Sequence, residues 1–381
     1  MSTLYQSGVN IGILGGGQLG RMFIQEALNY DAHVHIIDPD LNAPCAKIAH
    51  SFEQGDLMDF DTVYAFGKNK DVVTIEIEHV NVDALDQLEA EGVSVFPQPS
   101  VIRLIQDKGL QKEFYAKHNI PTADFRLIQT ANELQDHHSY LPFVQKARKG
   151  GYDGKGVQTI QSPADFEKGF DVPSVLESFV DFEKELSVIV ARNQAGEIVT
   201  YPIVECEFNP EANLVEFLFA PAKVSAEVEE QSRVIAENII SKLEMVGILA
   251  VELFLTKSGE VLVNEVAPRP HNSGHQTIEA NFTSQYEQHF RAILNLPLGS
   301  TRALAASVMV NLLGEKGHVG KAKYKGLEHV ITWEGVYPHL YGKENTKPFR
   351  KMGHVTIVNA SLSEAKKIAQ QVKETLLVIA E

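Results

Sequence analysis

One stretch constrains the fold more than any other: "VNIGILGGGQLGRMFIQEALNYDAHVHIID". An apolar run leads into Gly15-x-Gly17-x-x-Gly20, a helical pattern follows, and a second apolar run ends at Asp38, eighteen residues after Gly20. That is close to the fingerprint of a dinucleotide-binding Rossmann unit, and it raises the question of a nicotinamide or a flavin. The runs "DVVTIEIE" and "VSVF" continue the pattern, with helices at "QLGRMFIQEALNY" and "VDALDQLEAEG". Such alternation predicts a parallel sheet with helices on its faces.

Beyond residue 100 the order changes. A long helix through "VIRLIQDKGLQKEFYAKHN" should stop before Pro121. From about 121 to 180 come short strands ("FRLI", "PFVQKAR", "VQTI", "SVLESF") with helices at "ANELQDHH" and "PADFEKGF". Two β hairpins follow, turning at "NQAG" and "KSGE", with the amphipathic helix "AEVEEQSRVIAENIISKLEMV" between them. A final region from about 298 closes with the helix "SEAKKIAQQVKETLLVI". The expected class is α/β followed by α+β. The expected division is 1–100, 101–180, 181–297 and 298–381.

The 381 residues suffice for two or three domains with ample core. No apolar run approaches the roughly 20 residues that span a bilayer, and the start "MSTLYQSGVNIGILGG" has no basic region or cleavage-like site. Cys45 and Cys206 show no paired or metal-like spacing, which fits a reducing cytoplasm. A net charge of −16 argues against a nucleic-acid or anionic-membrane surface, though not against a local basic pocket for a phosphate.

Four constellations have the residue types for chemistry. If Ser258-Gly259 close the second hairpin, Glu252 faces Glu265 and Phe254 faces Val263. Two facing carboxylates need a cation, and magnesium shared with substrate phosphates fits that need. The second, "QKARKGGYDGKGVQ", packs four glycines and four basic residues between two strands. It suits a lid over a triphosphate, or a flexible surface hairpin, and it is not a Walker A motif. In "VLESFVDFEKELSV", Glu177 and Glu185 flank a strand connection and suit the donors of adenine and ribose, or a surface charge cluster. Last, "NEVAPRPHNSGH" crowds Arg269, His271, Asn272, Ser273 and His275 into an irregular segment, as an anion pocket would. It offers no helical register for zinc.

Together these stretches resemble the ATP-grasp superfamily along the whole chain. Within it the chain is similar to the 5-(carboxyamino)imidazole ribonucleotide synthetase family, through "GGGQLGRM", "GGYDGKG", "NEVAPRPHNSGH" and "RKMGHV" in that order. The resemblance implies an ATP-grasp fold with an N-terminal Rossmann-like domain that faces a ribonucleotide rather than a nicotinamide, and a small C-terminal β-rich subdomain. It implies ATP and magnesium as cofactors, and 5-aminoimidazole ribonucleotide and bicarbonate as substrates. A cytoplasmic homodimer, with neither nucleic acid nor membrane as partner, is the implied setting.

Carried over residue by residue, Lys108 and Lys146 match phosphate-binding positions, and Gly151, Tyr152, Asp153, Gly154, Lys155 and Gly156 match the covering loop. Glu177, Ser178, Phe179 and Val180 match the strand that edges adenine, and Glu185 matches the ribose-binding acid. Glu252 and Glu265 match the metal carboxylates, with Asn264 beside them; Arg269 and His271 match the bicarbonate and carboxyphosphate pocket. Tyr152 and Asp153 are implied to meet the aminoimidazole, and Lys343 and Arg350 to hold its phosphate. Phe208 departs from the family pattern, standing where a histidine is common near ATP. The implied chemistry is attack of bicarbonate on the γ-phosphate, then transfer of the carboxyl from carboxyphosphate to the exocyclic amine. The alternatives are another ATP-grasp ligase, such as a formate-dependent glycinamide ribonucleotide transformylase, a Rossmann oxidoreductase, or a non-catalytic nucleotide-binding regulator.

Overall fold

The structure, a computed structural model, describes residues 5–151, 156–209, 211 and 214–381. Five strands, β1 (Asn10–Leu14), β2 (His33–Asp38), β3 (Ser51–Gln54), β4 (Val72–Ile75) and β5 (Ser94–Val95), form an all-parallel sheet in the order β3-β2-β1-β4-β5. Helices α1 (Gln18–Leu28), α2 (Phe60–Gly67) and α3 (Val82–Ala90) connect them. Strand β3 and helix α2 escape the sequence pattern. "SFEQ" is too short and polar to register as a strand, and α2 is only eight residues long.

The single long helix expected before Pro121 is two helices, α4 (Pro99–Ile105) and α5 (Lys108–Lys117). Asp107 breaks it: its carboxylate accepts from Gly109 N–H at 2.8 Å and Leu110 N–H at 3.3 Å, an N-cap in mid-pattern. Next, β6 (Phe125–Ile128), β7 (Phe143–Ala147), β8 (Val157–Ile160) and β9 (Ser174–Ser178) form an antiparallel sheet in the order β6-β9-β7-β8. The helices expected within this region are 3₁₀ segments, each entered through a capping box at Thr130 and at Ser162.

A large antiparallel sheet carries the remainder. Its strands are β10 (Phe182–Arg192), β11 (Ile198–Thr200), β12 (Val204–Asn209), β13 (Leu214–Ala220), β14 (Gly247–Thr256) and β15 (Val261–Ala267). Helix α6 (Ala226–Lys242), capped by Ser225, lies between β13 and β14, and α7 (Thr277–Ala280) and α8 (Gln285–Ile293) follow β15. Strand β16 (Ala306–Leu313) joins this sheet, whereas β17 (Gly320–Lys325) leaves it and is followed by α9 (Leu327–Val330). Strand β18 (Val336–Leu340) then returns to the sheet, β19 (Asn345–Thr346) pairs with β17, and β20 (Lys351–Asn359) completes the order β15-β14-β10-β12-β13-β16-β20-β18. The chain ends with α10 (Leu362–Thr375) and β21 (Leu377–Ala380), which also pairs with β17. The C-terminal strands thus extend the central sheet, so the carboxylate hairpin β14–β15 and strand β20 belong to one platform.

Helix α8 joins the first sheet to that platform. Phe290, fully buried, packs on Tyr30 with ring centroids 4.7 Å apart and on Phe23 of α1 at 6.1 Å. Tyr286 and Ile293 enter the same apolar cluster. Phe290→Ala is expected to cost about 3–5 kcal/mol of unfolding free energy in urea titration. Leu28→Ala, at a side chain 65% exposed, should change it by less than about 0.5 kcal/mol. Equal, small effects would mean that α8 is not the join.

Candidate active site

The hairpin β14–β15 differs from expectation in register but not in outcome. It closes over residues 257–259, with Thr256 N–H donating to Glu260 O at 2.9 Å and Gly259 at φ +89°. Phe254 therefore faces Leu262 rather than Val263, one residue out of the expected ladder. A bulge between Glu252 and Leu253 takes up the offset, and Glu252 faces Glu265. The residue displaced by the bulge is Asn264, whose side-chain oxygen accepts from Lys146 Nζ at 2.8 Å.

Charge is arranged around this pair. Lys108, the first residue of α5, donates to Glu265 Oε2 at 2.5 Å, and its charge holds Glu265 below the usual carboxylate range. Glu252 moves the other way: burial, and then the charges of Glu265 and Glu185, push its carboxyl up. Burial also pushes Glu185 up to about 7. On the lid side, Glu177 Oε2 accepts from Lys146 Nζ at 3.1 Å and lies 3.3 Å from Lys112 Nζ. These charges hold Glu177 below its ordinary value against burial, while burial pulls Lys112 down to about 8. Among the described residues no group of three or more His, Cys, Asp or Glu side chains is placed to hold a metal ion. Two carboxylates, one with its proton favoured by burial and by like charge, fit a divalent cation whose other ligands come from phosphates.

The base of the expected lid is fixed to α5. Arg148 Nε and Nη2 donate to Asp107 at 2.7 and 3.0 Å, so this basic residue grips a helix cap rather than facing the cleft. Gly151 and Gly156 bracket the loop, with Ala147 N–H donating to Gly156 O at 2.9 Å. Tyr152, Asp153, Gly154 and Lys155 lie outside the described residues. On the neighbouring strand, Ser178 N–H donates to Asp124 O at 2.9 Å, and Phe179 is exposed beside the partly buried Val180. Phe208, on β12, faces Val215 just past a register shift.

The segment after β15 lies between the two sheets. Arg269 Nε sits 2.9 Å from Glu78 Oε1. His271 Nδ1 accepts from Ser273 N–H at 3.3 Å and lies 2.9 Å from Ser273 Oγ, which lies 2.7 Å from Ser187 Oγ. His271 Nε2 is 3.5 Å from Glu252 Oε1. A ring nitrogen that accepts a backbone N–H carries no proton, so the neutral imidazole presents Nε2–H toward the carboxylates.

At the glycine-rich turn, Glu76 directly follows β4, and its Oε1 accepts from Leu19 N–H at 3.1 Å, in the first turn of α1. A Cβ on Gly17 would lie 2.4 Å from that same oxygen, and Gly15 has φ +103°. The place a dinucleotide's pyrophosphate would take is thus filled by the protein's own carboxylate. Asp38, the ribose-binding acid of a Rossmann fingerprint, accepts instead from Gly16 N–H at 2.7 Å. Withdrawal from water pushes Glu76 up to about 7, against the opposing charges of Arg269 and Lys343. Lys343 donates to Lys351 O at 2.7 Å, and Arg350 donates to Asn345 O at 2.6 Å within its own loop. Lys343 therefore reaches the turn electrostatically, while Arg350 is held by the backbone beside it. Sequence reasoning missed Glu76, Lys112 and Ser187. Only Glu76 had a legible signal, as an acid at the carboxyl end of a parallel strand.

Three domain models match in order: a ribonucleotide synthetase preATP-grasp domain over residues 9–106, an ATP-grasp domain over 113–286 and a phosphoribosylaminoimidazole carboxylase C-terminal domain over 307–368. A chloroplastic phosphoribosylaminoimidazole carboxylase from Vigna aconitifolia is 40% identical over 364 residues, covering 93% of this chain. The chain spans 65% of that relative's length. The N5-carboxyaminoimidazole ribonucleotide synthase of Bacillus subtilis is 38% identical over 359 residues, covering 92% of both chains. Among solved structures, N5-carboxyaminoimidazole ribonucleotide synthetase from Thermotoga maritima superposes with a TM-score of 0.91 at 44% identity, over 98% of this chain and 100% of that one. The Aspergillus clavatus synthase, solved with ADP and 5-aminoimidazole ribonucleotide, gives 0.88 at 32% identity, over 97% and 98%.

The backbone N–H of Ser273 makes a prediction about His271. Its neutral ring should show an unprotonated Nδ1 and a protonated Nε2 in long-range ¹⁵N–¹H spectra, assigned by comparison with His271→Gln. Ser273→Ala keeps the backbone N–H that Nδ1 accepts and should leave this tautomer in place. A protonated Nδ1 in the parent protein contradicts the hydrogen bond from Ser273 N–H.

Proposed function

The chain belongs to the N5-carboxyaminoimidazole ribonucleotide synthase family of ATP-grasp proteins, and on that premise we propose that it carboxylates the exocyclic amine of 5-aminoimidazole ribonucleotide. ATP and bicarbonate are the co-substrates, ADP and phosphate the by-products, and purine biosynthesis the setting. The observation that carries this reading is the facing pair Glu252 and Glu265, with Lys108 on Glu265 and Lys146 on the adjacent Asn264, beside a glycine-rich turn sealed against a dinucleotide.

Lys108 and Lys146 hold the triphosphate under the loop from Gly151 to Gly156, and adenine lies along Ser178, Phe179 and Val180, with Phe208 near by. Glu185 takes the ribose. The two lysine contacts on Glu177 support a part for that carboxylate in aiming lysines rather than in accepting from adenine. Glu252 and Glu265, with Asn264 beside them, would hold magnesium, which neutralises charge on the phosphoryl oxygens. Arg269 and the Nε2–H of His271 orient bicarbonate for attack on the γ-phosphate and hold the carboxyphosphate that results. Closure of the lid, with Tyr152 and Asp153 against the aminoimidazole, excludes the water that would hydrolyse it. Glu76 offers the substrate's amine an acceptor, and Lys343 and Arg350 grip its phosphate once Arg350 leaves Asn345 O.

The resemblance also implies a cytoplasmic homodimer. Nucleic acid has no place in this reading, given a net charge of −16, and among the described residues no helix is long and apolar enough to cross a membrane.

Phosphate release from ATP should require bicarbonate and 5-aminoimidazole ribonucleotide together. Release supported instead by formate and glycinamide ribonucleotide would assign the chain to the transformylases. Arg350→Ala should raise the KM for the ribonucleotide by the equivalent of about 1.5–3 kcal/mol, with the KM for ATP nearly unchanged. A rise confined to ATP would put this residue at the nucleotide. Glu265→Gln should leave a folded protein whose kcat has fallen by the equivalent of about 3 kcal/mol. Turnover within a few-fold of the parent at equal magnesium removes the carboxylate from the metal site.

A further inference from the structure

Lys112 is among the most deeply buried charged side chains described, 2% exposed, and nothing in the proposed reaction uses it. It sits one helical turn after Lys108 on α5, so both ammonium groups leave the same face of the helix. Lys108 reaches the hairpin carboxylate Glu265, whereas Lys112 reaches Glu177 on the lid sheet, 3.3 Å away. Lys112 also donates to Thr122 Oγ1 at 2.6 Å, and Thr122 passes a hydrogen bond on to Val263 O at 2.7 Å. Val263 immediately precedes the bulged Asn264, which accepts from Lys146.

Two ammonium groups therefore share one carboxylate oxygen, Glu177 Oε2. With Lys112 and Lys146 charged and Glu177 ionised, the triad carries a net charge of about +1. Were Lys146 the only cation there, Glu177 would neutralise it and draw it away from any phosphate. Such a pairing deep in the protein, with Glu177 4% exposed, is scarcely screened by solvent or salt.

We propose that Lys112 is a positioning residue of the nucleotide site: it offsets the charge of Glu177, so that Lys146 keeps its positive charge for the phosphates of the bound nucleotide. The inference rests on the nucleotide reading above. Lys112 meets no substrate itself. It acts through Glu177 on Lys146, and through Thr122 on the hairpin that carries Asn264.

The charge arithmetic gives a test. ADP binding is measured by calorimetry at fixed magnesium for the parent, Lys112→Gln, Glu177→Gln and the double variant, with thermal unfolding as the control for folding. Lys112→Gln takes the triad to neutral and should weaken ADP by about tenfold or more, the scale of one charge-assisted contact. It should leave 5-aminoimidazole ribonucleotide binding within twofold. The double variant returns the triad to a charge of +1 and should bind ADP within threefold of the parent. Lys112→Arg, which keeps the charge, should do the same. If Lys112→Gln does not fold, the double and arginine variants decide alone, since neither removes net charge from the triad. Three results overturn the proposal: parent-like ADP affinity in a folded Lys112→Gln, a double variant as weak as the single one, or an arginine variant as weak as the glutamine one. A parent protein that binds no ADP would instead remove the nucleotide reading itself.

Discussion

Two carboxylates held face to face across adjacent antiparallel strands repel one another, and that repulsion organises much of this structure. Left alone, Glu252 and Glu265 would weaken the hairpin that presents them. Lys108 offsets one of the pair directly, at 2.5 Å, and the other keeps a raised carboxyl that a divalent cation would relieve. The same helix sends Lys112 to the lid sheet, and its capping residue Asp107 holds Arg148 at the base of the lid loop. Helix α5 therefore ties the lid, the hairpin and their opposed charges together from one side. A hairpin this costly in electrostatics suits a site whose work is to steady a charged phosphoryl group in transit.

The N-terminal turn shows how a familiar motif can be put to another use. Gly17 leaves room for a close approach, as in a dinucleotide fold, but what approaches is Glu76. With Leu19 N–H of α1 bonded to Glu76, the carboxyl end of this sheet faces the charges of Arg269 and Lys343. The aromatic join through Phe290 packs α1 of this domain against α8 of the central sheet.

Much of this was legible in the sequence because local rules dominate where it was read well. The parallel sheet followed from β-α alternation, and the hairpin's facing glutamates followed from turn spacing. That spacing was wrong by one residue, and a bulge restored the pair; only tertiary contacts reveal a bulge, here the pull of Lys146 on Asn264. The break at Asp107 was hidden because the apolar period continues on both sides of it, and only Arg148, far away in sequence, makes the cap worth keeping. Lys112 and Ser187 carry no sequence signal at all, since a lysine on an amphipathic helix and a serine in a strand are ordinary until burial is known. The basic residues that the sequence groups in one lid have different partners: Arg148 faces a helix cap and Lys146 a shared carboxylate.

In the proposed reaction this charge arrangement serves phosphorylation of bicarbonate, with the carboxyl then passed to an amine. Following ¹⁸O from labelled bicarbonate tests it most directly, in a reaction with ATP, magnesium and 5-aminoimidazole ribonucleotide. If the bicarbonate oxygen attacks the γ-phosphorus, and the carbon–oxygen bond breaks when the amine takes the carboxyl, one labelled oxygen must leave with inorganic phosphate. Phosphate carrying a single ¹⁸O should then appear in step with product. Phosphate free of label, at the same yield of product, would contradict it.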